Sequence, residues 1–271
     1  MKIKLVRNEI SNLFSKYNIS SDEVDKLLCE SLNIDYSKLI FLDEISQKEY
    51  DLITYYLNER LNGKPLTKIF KKAYFYRLVL NIDENVLSPR QETEILVEQA
   101  LKFIDNSSTV LDLCTGSGAI ALAIKDNSNA KVYASDLSND ALKVAKQNAD
   151  MLKLDVKFIQ SNLFENINQK FDVIISNPPY IKTSDINLLD TEVKLFDPMI
   201  ALDGGDDGLY FYKKIVSQLD KYLNKNGKIL FEIGYNQADD VKKLLNDKNF
   251  DVKVIKDYSY KDRVIIGIKK D

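Results

Sequence analysis

The stretch "ISNPPYI", Ile175 to Ile181, ends an apolar run with an asparagine, two prolines and a tyrosine. These residue types in this order could perform one specific task. Asn177 carries a side-chain carbonyl, and Pro178 contributes a backbone carbonyl whose direction is restricted because Pro179 biases its predecessor away from helical geometry. Two acceptors fixed in this way can take both hydrogens of a planar NH2 group. Tyr180 can then lie against the plane of that group or of a base carrying it. The structural alternative is a stiff strand exit with Tyr180 as core filler.

A second stretch, "VLDLCTGSGAIALAI" from Val110 to Ile124, reads as a buried strand, a glycine turn and a helix beginning near Ala119. Such a turn sits at the carboxyl edge of an open α/β sheet, where ligands of these folds bind. Gly116 and Gly118 allow close backbone approach and are expected to supply amides near a helix N-terminus. Read literally, Gly116 to Ala121 also satisfies the dinucleotide pattern G-x-G-x-x-G/A, with Asp136 some 20 residues on. Asp136 ends the strand "AKVYASD", where a carboxylate can accept from both hydroxyls of a ribose; Ser138 can cap the helix that follows. In "IQSNLF", Asn162 could bond an adenine edge and Leu163 cover its face, or the stretch could be a plain loop. Tyr210 and Lys214 form a Y-x-x-x-K pair of the oxidoreductase kind, but they share an amphipathic helix pattern with Phe211 and Ile215.

Elements must bring these stretches together. From residue 91 short apolar strands alternate with helical patterns: "STVLDLC", "AKVYASD", "DVKFIQ", "FDVIISN", "GKILFEI", "FDVKVI" and "RVIIGI". This is the grammar of an α/β sheet with mostly parallel strands. The last two strands are joined by a polar run and should insert one antiparallel strand. Before Gly63 the apolar residues recur at helical spacing with no proline or glycine, which predicts a small helical domain. In "SSDEVDKLL" a serine before acidic residues signals a helix start. "AYFYRLVLNIDENVLSPR" reads as a hairpin around the polar "DEN". No internal repeat or low-complexity tract occurs.

Composition excludes several classes. The 271 residues contain no histidine, which removes Ser-His-Asp hydrolysis and histidine-bound metals. Cys29 and Cys114 have no paired spacing, so neither a disulfide framework nor a zinc site is expected, and no metal is assigned. The net charge of −3 gives no broad footprint for a phosphate backbone. No apolar stretch approaches the roughly 20 residues that span a bilayer. The start "MKIKLVRNEISNLF" lacks a secretory pattern. A cytoplasmic location is the expectation.

Taken together, "DLCTGSGAIALAI", "ASDLS" and "SNPPYI" resemble the class I S-adenosylmethionine-dependent methyltransferases with an (N/D)PPY motif, which act on planar amino or amide nitrogens. "VLSPRQETEILVE", "FDPMIALDGGDDGLYFYKKI", "EIG" and "KDRVI" narrow the resemblance to the protein-glutamine N5-methyltransferases that modify peptide chain release factors. The resemblance implies a Rossmann-like, mostly parallel seven-stranded sheet with one antiparallel strand, preceded by a small helical domain and a hairpin linker. The corresponding boundaries are 1–65 for a helical substrate-recognition domain, 66–90 for the linker and 91–271 for the catalytic domain. It implies S-adenosylmethionine as cofactor, held by Asp112, Cys114, Thr115, Gly116, Ser117, Gly118, Asp136, Leu137, Asn162, Leu163 and Asn177. It implies a substrate amide held by Asn177, Pro178, Pro179 and Tyr180, and a release factor as protein partner for a monomer, without nucleic acid or membrane. Asn162 departs from the family, which commonly has Asp there, and "PLTKIFKKAYFY" is a loose version of its interdomain segment. The main rival is N6-adenine methylation through the same clamp.

Overall fold

The computed structural model describes residues 1–270 and divides the chain into two compact units, Met1–Lys72 and Ala73 onward. The first unit is helical: α1 (Ile3–Lys16), α2 (Glu23–Leu32), α3 (Tyr36–Ile40), α4 (Gln47–Leu61) and α5 (Leu66–Phe70). Val6, Ile10 and Phe14 of α1, Leu27 and Leu28 of α2, and Ile53 of α4 fill its core, as their helical spacing requires. Arg60 of α4 grips Glu23 of α2 with Nε at 2.7 Å and Nη2 at 3.1 Å, a two-pronged charged bond. The serines before α2 make no side-chain cap on it. The capping box lies instead at α4, where Ser46 Oγ accepts from the Glu49 amide at 3.3 Å and Glu49 accepts from the Ser46 amide at 2.7 Å.

A hairpin, β1 (Lys72–Phe75) and β2 (Leu78–Asn81), turns at Tyr76 and Arg77 rather than at "DEN", which forms a separate later turn. Tyr76 has φ +58°, and its amide is held by Glu94 Oε1 at 2.7 Å, so a carboxylate makes the tight turn tolerable where the sequence has no glycine. The second unit continues through α6 (Glu92–Leu101), β3 (Thr109–Leu113), α7 (Ala119–Asp126), β4 (Lys131–Asp136), α8 (Asn139–Leu152), β5 (Val156–Gln160) and β6 (Phe171–Ser176). It ends with α9 (Thr191–Phe196), α10 (Tyr210–Val216), α11 (Leu219–Tyr222), β7 (Leu223–Glu232), α12 (Ala238–Asn246), β8 (Phe250–Lys256) and β9 (Asp262–Lys269).

Seven strands form one sheet in the order β5-β4-β3-β6-β7-β9-β8, with β9 antiparallel to both of its neighbours. All seven strands anticipated above are present. Because side chains alternate along a strand, Val110, Val173, Ile175 and Leu230 pack into one apolar layer with α6, α7 and α8. Leu111, Leu113, Ile174, Ile229 and Phe231 pack into the other, with α10 and α12. Both faces are covered, which is why the central strands read as nearly unbroken apolar runs. Among the described residues no helix is long and apolar enough to cross a membrane, and no group of three His, Cys, Asp or Glu side chains could hold a metal ion.

Candidate active site

β3 and β6 run parallel side by side, with Leu113 opposite Ser176, and Ser176 Oγ donates to the Leu113 carbonyl at 2.8 Å. β4 flanks β3 on the other side and β5 flanks β4, all parallel, so the four carboxyl ends leave the same edge of the sheet. A cleft at this edge is lined by Cys114, Thr115, Gly116, Ser117, Asp136, Leu137, Asn162, Leu163, Asn177 and Pro179. The motifs that are far apart in sequence therefore meet at one place.

The glycine turn is held from below and from the side. Asp112 is fully buried, and its Oδ2 accepts from Thr115 Oγ1 at 2.6 Å and from the Ala121 amide at 3.2 Å. Asp136 Oδ2 accepts from the Gly116 amide at 2.9 Å, and its Oδ1 accepts from the Ser138 amide at 2.9 Å. Ser138 Oγ caps α8 by accepting from the Ala141 amide at 3.1 Å. Asp112 and Gly118 do not line the cleft: Asp112 lies beneath the turn, and Gly118, at φ +84°, backs onto α8, where an added methyl would sit 3.1 Å from Ala145 Cβ.

One expectation is corrected here. The glycine amides are not open donors, because Gly116 is bonded to Asp136 and Gly118 to the Thr115 carbonyl at 2.9 Å. In the first turn of α7 the Ala121 amide bonds Asp112. With both glycine amides committed, the turn lacks the open glycine donors that the dinucleotide pattern needs for a pyrophosphate. Tyr210 and Lys214 meet each other, with Nζ 5.7 Å from the ring centre, but neither lines the cleft.

Asn177 lines both this cleft and an adjoining hollow formed with Pro178, Tyr180, Arg90, Glu92, Glu232 and Arg263. The exit from β6 is braced by residues the sequence reading missed. Gln237 Nε2 donates to the Tyr180 carbonyl at 2.9 Å and to the Gly208 carbonyl at 3.1 Å, while its Oε1 accepts from the Gly234 amide at 2.9 Å. A methyl on Gly204 would lie 2.7 Å from Tyr180 Cα, and one on Gly208 would lie 2.5 Å from the Tyr180 carbonyl oxygen. The signal was present in the cluster of glycines in "DGGDDG" and in the glutamine of "EIGYNQ". Two of its aspartates serve the turn, Asp203 Oδ1 accepting from the Gly205 amide at 2.9 Å and Asp207 Oδ1 from the Leu209 amide at 3.0 Å. Arg90 pairs with Asp197 at 3.6 Å.

Burial dominates the electrostatics of the edge. It pushes the Asp112 and Glu232 carboxyls up to about 7 and Asp136 upward from the usual carboxylate range. Burial, with the charge of Asp136 behind it, raises the Cys114 thiol well above its ordinary value, so it stays protonated and is no nucleophile. The Tyr180 phenol is pushed to about 12, first by burial and then by Glu232.

The fold is that of methyltransferases. A methyltransferase from Pyrococcus furiosus superposes with a TM-score of 0.52 at 22% identity, covering 65% of this chain and 81% of its own. The ribosomal protein L11 methylase of Lactobacillus delbrueckii subsp. bulgaricus gives 0.51 at 22% identity, covering 67% and 81%. The family model "Methyltransferase small domain" matches residues 89–201. The release factor glutamine methyltransferase of Thermodesulfovibrio yellowstonii is 38% identical over 268 residues, 96% of each chain. That of Clostridium acetobutylicum is 37% identical over 276 residues, 95% of this chain and 97% of its own. The chain is a methyltransferase and belongs to the release factor glutamine methyltransferase family.

Proposed function

We propose that the protein transfers a methyl group from S-adenosylmethionine to the side-chain amide nitrogen of the glutamine in a Gly-Gly-Gln segment of a peptide chain release factor. The observation that carries this reading is the convergence of Asn177 and Pro178 on the hollow beside the cleft that ends β3, β4 and β5. The cleft suits that cofactor. Asp136 offers carboxylate oxygens for a ribose, Leu137 and Leu163 offer apolar surface for a flat base, and Asp112 acts from beneath the turn by holding Thr115 and the start of α7 in place. Cys114, Thr115, Gly116 and Ser117 would hold that end from the turn. Asn162 Nδ2 is engaged by Glu165 Oε1 at 2.8 Å, which leaves its Oδ1 as an acceptor, so asparagine can serve where the family commonly has Asp.

When bound, S-adenosylmethionine supplies an electrophilic methyl on a sulfonium. The amide nitrogen of glutamine is a poor nucleophile because its lone pair is delocalised into the carbonyl. Asn177 Oδ1 and the Pro178 carbonyl would accept its two hydrogens and orient it in line, and positioning of this kind supplies about 7–11 kcal/mol of a barrier. The same acceptors stabilise positive charge as it moves onto nitrogen, which is binding of the transition state over the ground state. That nitrogen then sheds a proton to solvent without a dedicated base, consistent with a chain that has no histidine. Pro179 fixes the direction of the Pro178 carbonyl, and Tyr180 packs beside the amide. The helical residues 1–65 serve substrate recognition, residues 66–90 link them to the catalytic residues 91–271, and the protein acts as a monomer in the cytoplasm without nucleic acid.

The test is transfer of labelled methyl to a release factor carrying Gly-Gly-Gln, beside the same factor with that glutamine changed and beside duplex DNA and RNA. Label on the intact factor alone, lost in Asn177→Ala, is expected. Label on nucleic acid would give the acceptor as an adenine amino group instead.

A further inference from the structure

Glu232, the last residue of β7, is 2% exposed, and its Oε2 has no hydrogen-bond partner. It lines the same hollow as Asn177 and Pro178. The hydroxyl of Thr93, in the first turn of α6 and 4% exposed, lies beside the Glu232 carboxyl and favours its charged form. The same hydroxyl oxygen accepts from Asn177 Nδ2 at 3.5 Å. Three side chains from three segments thus form one line ending at the amide clamp.

The direction of these bonds is not free. An ionised carboxylate only accepts, so Thr93 must give its single hydrogen to Glu232. The Thr93 oxygen is then left to accept, which turns Asn177 Nδ2 toward it and leaves Asn177 Oδ1 for the substrate. A protonated Glu232 can donate to Thr93, whose own hydrogen then points to Asn177 and is best met by Oδ1. The amide flips, and an NH2 group would face the NH2 of the substrate.

We propose that Glu232, acting through Thr93, is a positioning residue that fixes which end of the Asn177 amide faces the substrate, and that proton uptake by Glu232 turns the clamp off. The inference rests on the methyl-transfer reading above. The groups facing Glu232 are Arg263 of β9, held 3.2 Å from Asp257; Arg90 and Glu92 at the entry to α6; Tyr180 on the β6 exit; and Tyr212 of α10, whose hydroxyl donates to the Glu232 backbone carbonyl at 2.8 Å. The two arginines favour the ionised carboxyl, burial and Glu92 oppose it, and the balance leaves it near 7, so both states are reached around neutral pH.

The experiment follows kcat for methyl transfer to a Gly-Gly-Gln release factor from pH 5.5 to 9 at saturating S-adenosylmethionine, with Glu232 followed by carboxyl carbon NMR in the free protein. Wild type should lose kcat below about 7 along a one-proton limb. Glu232→Gln should show a lower plateau without that limb. Thr93→Val should lower kcat about tenfold, the worth of one buried hydrogen bond, and raise the Glu232 midpoint by removing a donor to the carboxylate. Thr93→Ser should restore both. A flat wild-type profile, a limb that persists in Glu232→Gln, a fully active Thr93→Val or an unmoved midpoint would each overturn the relay. Absence of methyl transfer by wild type would instead sink the acceptor reading, and the NMR midpoints would still decide the relay.

Discussion

The exits of β3 and β6 leave the same sheet edge side by side and are built in opposite ways. At β3 the chain turns through left-handed backbone at Cys114, Gly116 and Gly118, with φ of +61°, +54° and +84°, and its two glycine amides are spent on Asp136 and on the Thr115 carbonyl. At β6 the chain stiffens through Pro178 and Pro179, which have no amide hydrogens, and it presents carbonyls. One exit curls around carboxylates and leaves a pocket; the other holds acceptors at fixed angles. The contrast suits two partners of different chemistry, a cationic ligand beside the acidic turn and an NH2 group beside the prolines.

The sharpest way to break this comparison is Asn177→Ala. Loss of one preorganised group should cost roughly 100- to 1000-fold in kcat, while S-adenosylhomocysteine binding measured by calorimetry should weaken far less, since most of the cleft is untouched. Equal losses in both would mean that the two exits serve one ligand.

Next in size is Gly208→Ala. A methyl 2.5 Å from the Tyr180 carbonyl, at φ +71°, must push the β6 exit aside or distort its own loop. A stability loss of about 2–4 kcal/mol in denaturant titration is expected from the overpacking and backbone strain combined, with kcat falling more than cofactor binding. Gln237→Ala removes the clip on the same carbonyl and should lower stability by about 1–3 kcal/mol, because two buried carbonyls lose their donor.

The pH dependence of stability sharpens the contrast further. Asp112 and Glu232 have folded-state values near 7 against ordinary values of 3.8 and 4.5, so the folded state holds their protons more tightly than the unfolded chain. Their contribution is complete below about 4, declines as pH rises toward 7 and is gone above it. Asp203 and Asp207, held low by Thr183 and Lys213, act oppositely, giving stability above their ordinary range that is lost as pH falls through it. Denaturation of wild type and Asp112→Asn between pH 4 and 8 should show the decline reduced in the variant. The smallest effect separates the two glycines of one turn: Gly116→Ala meets nothing within 4 Å and carries only the left-handed strain of about 1–2 kcal/mol, whereas Gly118→Ala also presses on Ala145 and should lower the melting temperature further.

Much of this could be read from residue order. The apolar runs became the seven strands because a sheet covered on both faces needs apolar side chains on both. That Asn177 to Tyr180 end one strand and Asp136 another at the same sheet edge was legible because proline and a strand-terminal carboxylate have local meaning that does not depend on packing. The hairpin turn was misplaced because Tyr76 adopts a conformation that no local residue announces; it is held by Glu94, 18 residues away. The cap expected at the start of α2 is absent, and the box that closes is at α4, where Ser46 meets Glu49.

By itself the sequence determined the α/β order, the antiparallel last strand and the two motifs that end β3 and β6, since these depend on periodicity and on the intrinsic geometry of glycine and proline. Only the tertiary structure decided that the glycine amides are already bonded, that Gly204, Gly208 and Gln237 lock the Tyr180 backbone, and that Thr93 stands beside both Glu232 and Asn177. The physical reason is that a hydrogen bond between residues 84 or 57 positions apart leaves no periodic trace in the chain. It exists only where strands brought side by side set the distance between their ends.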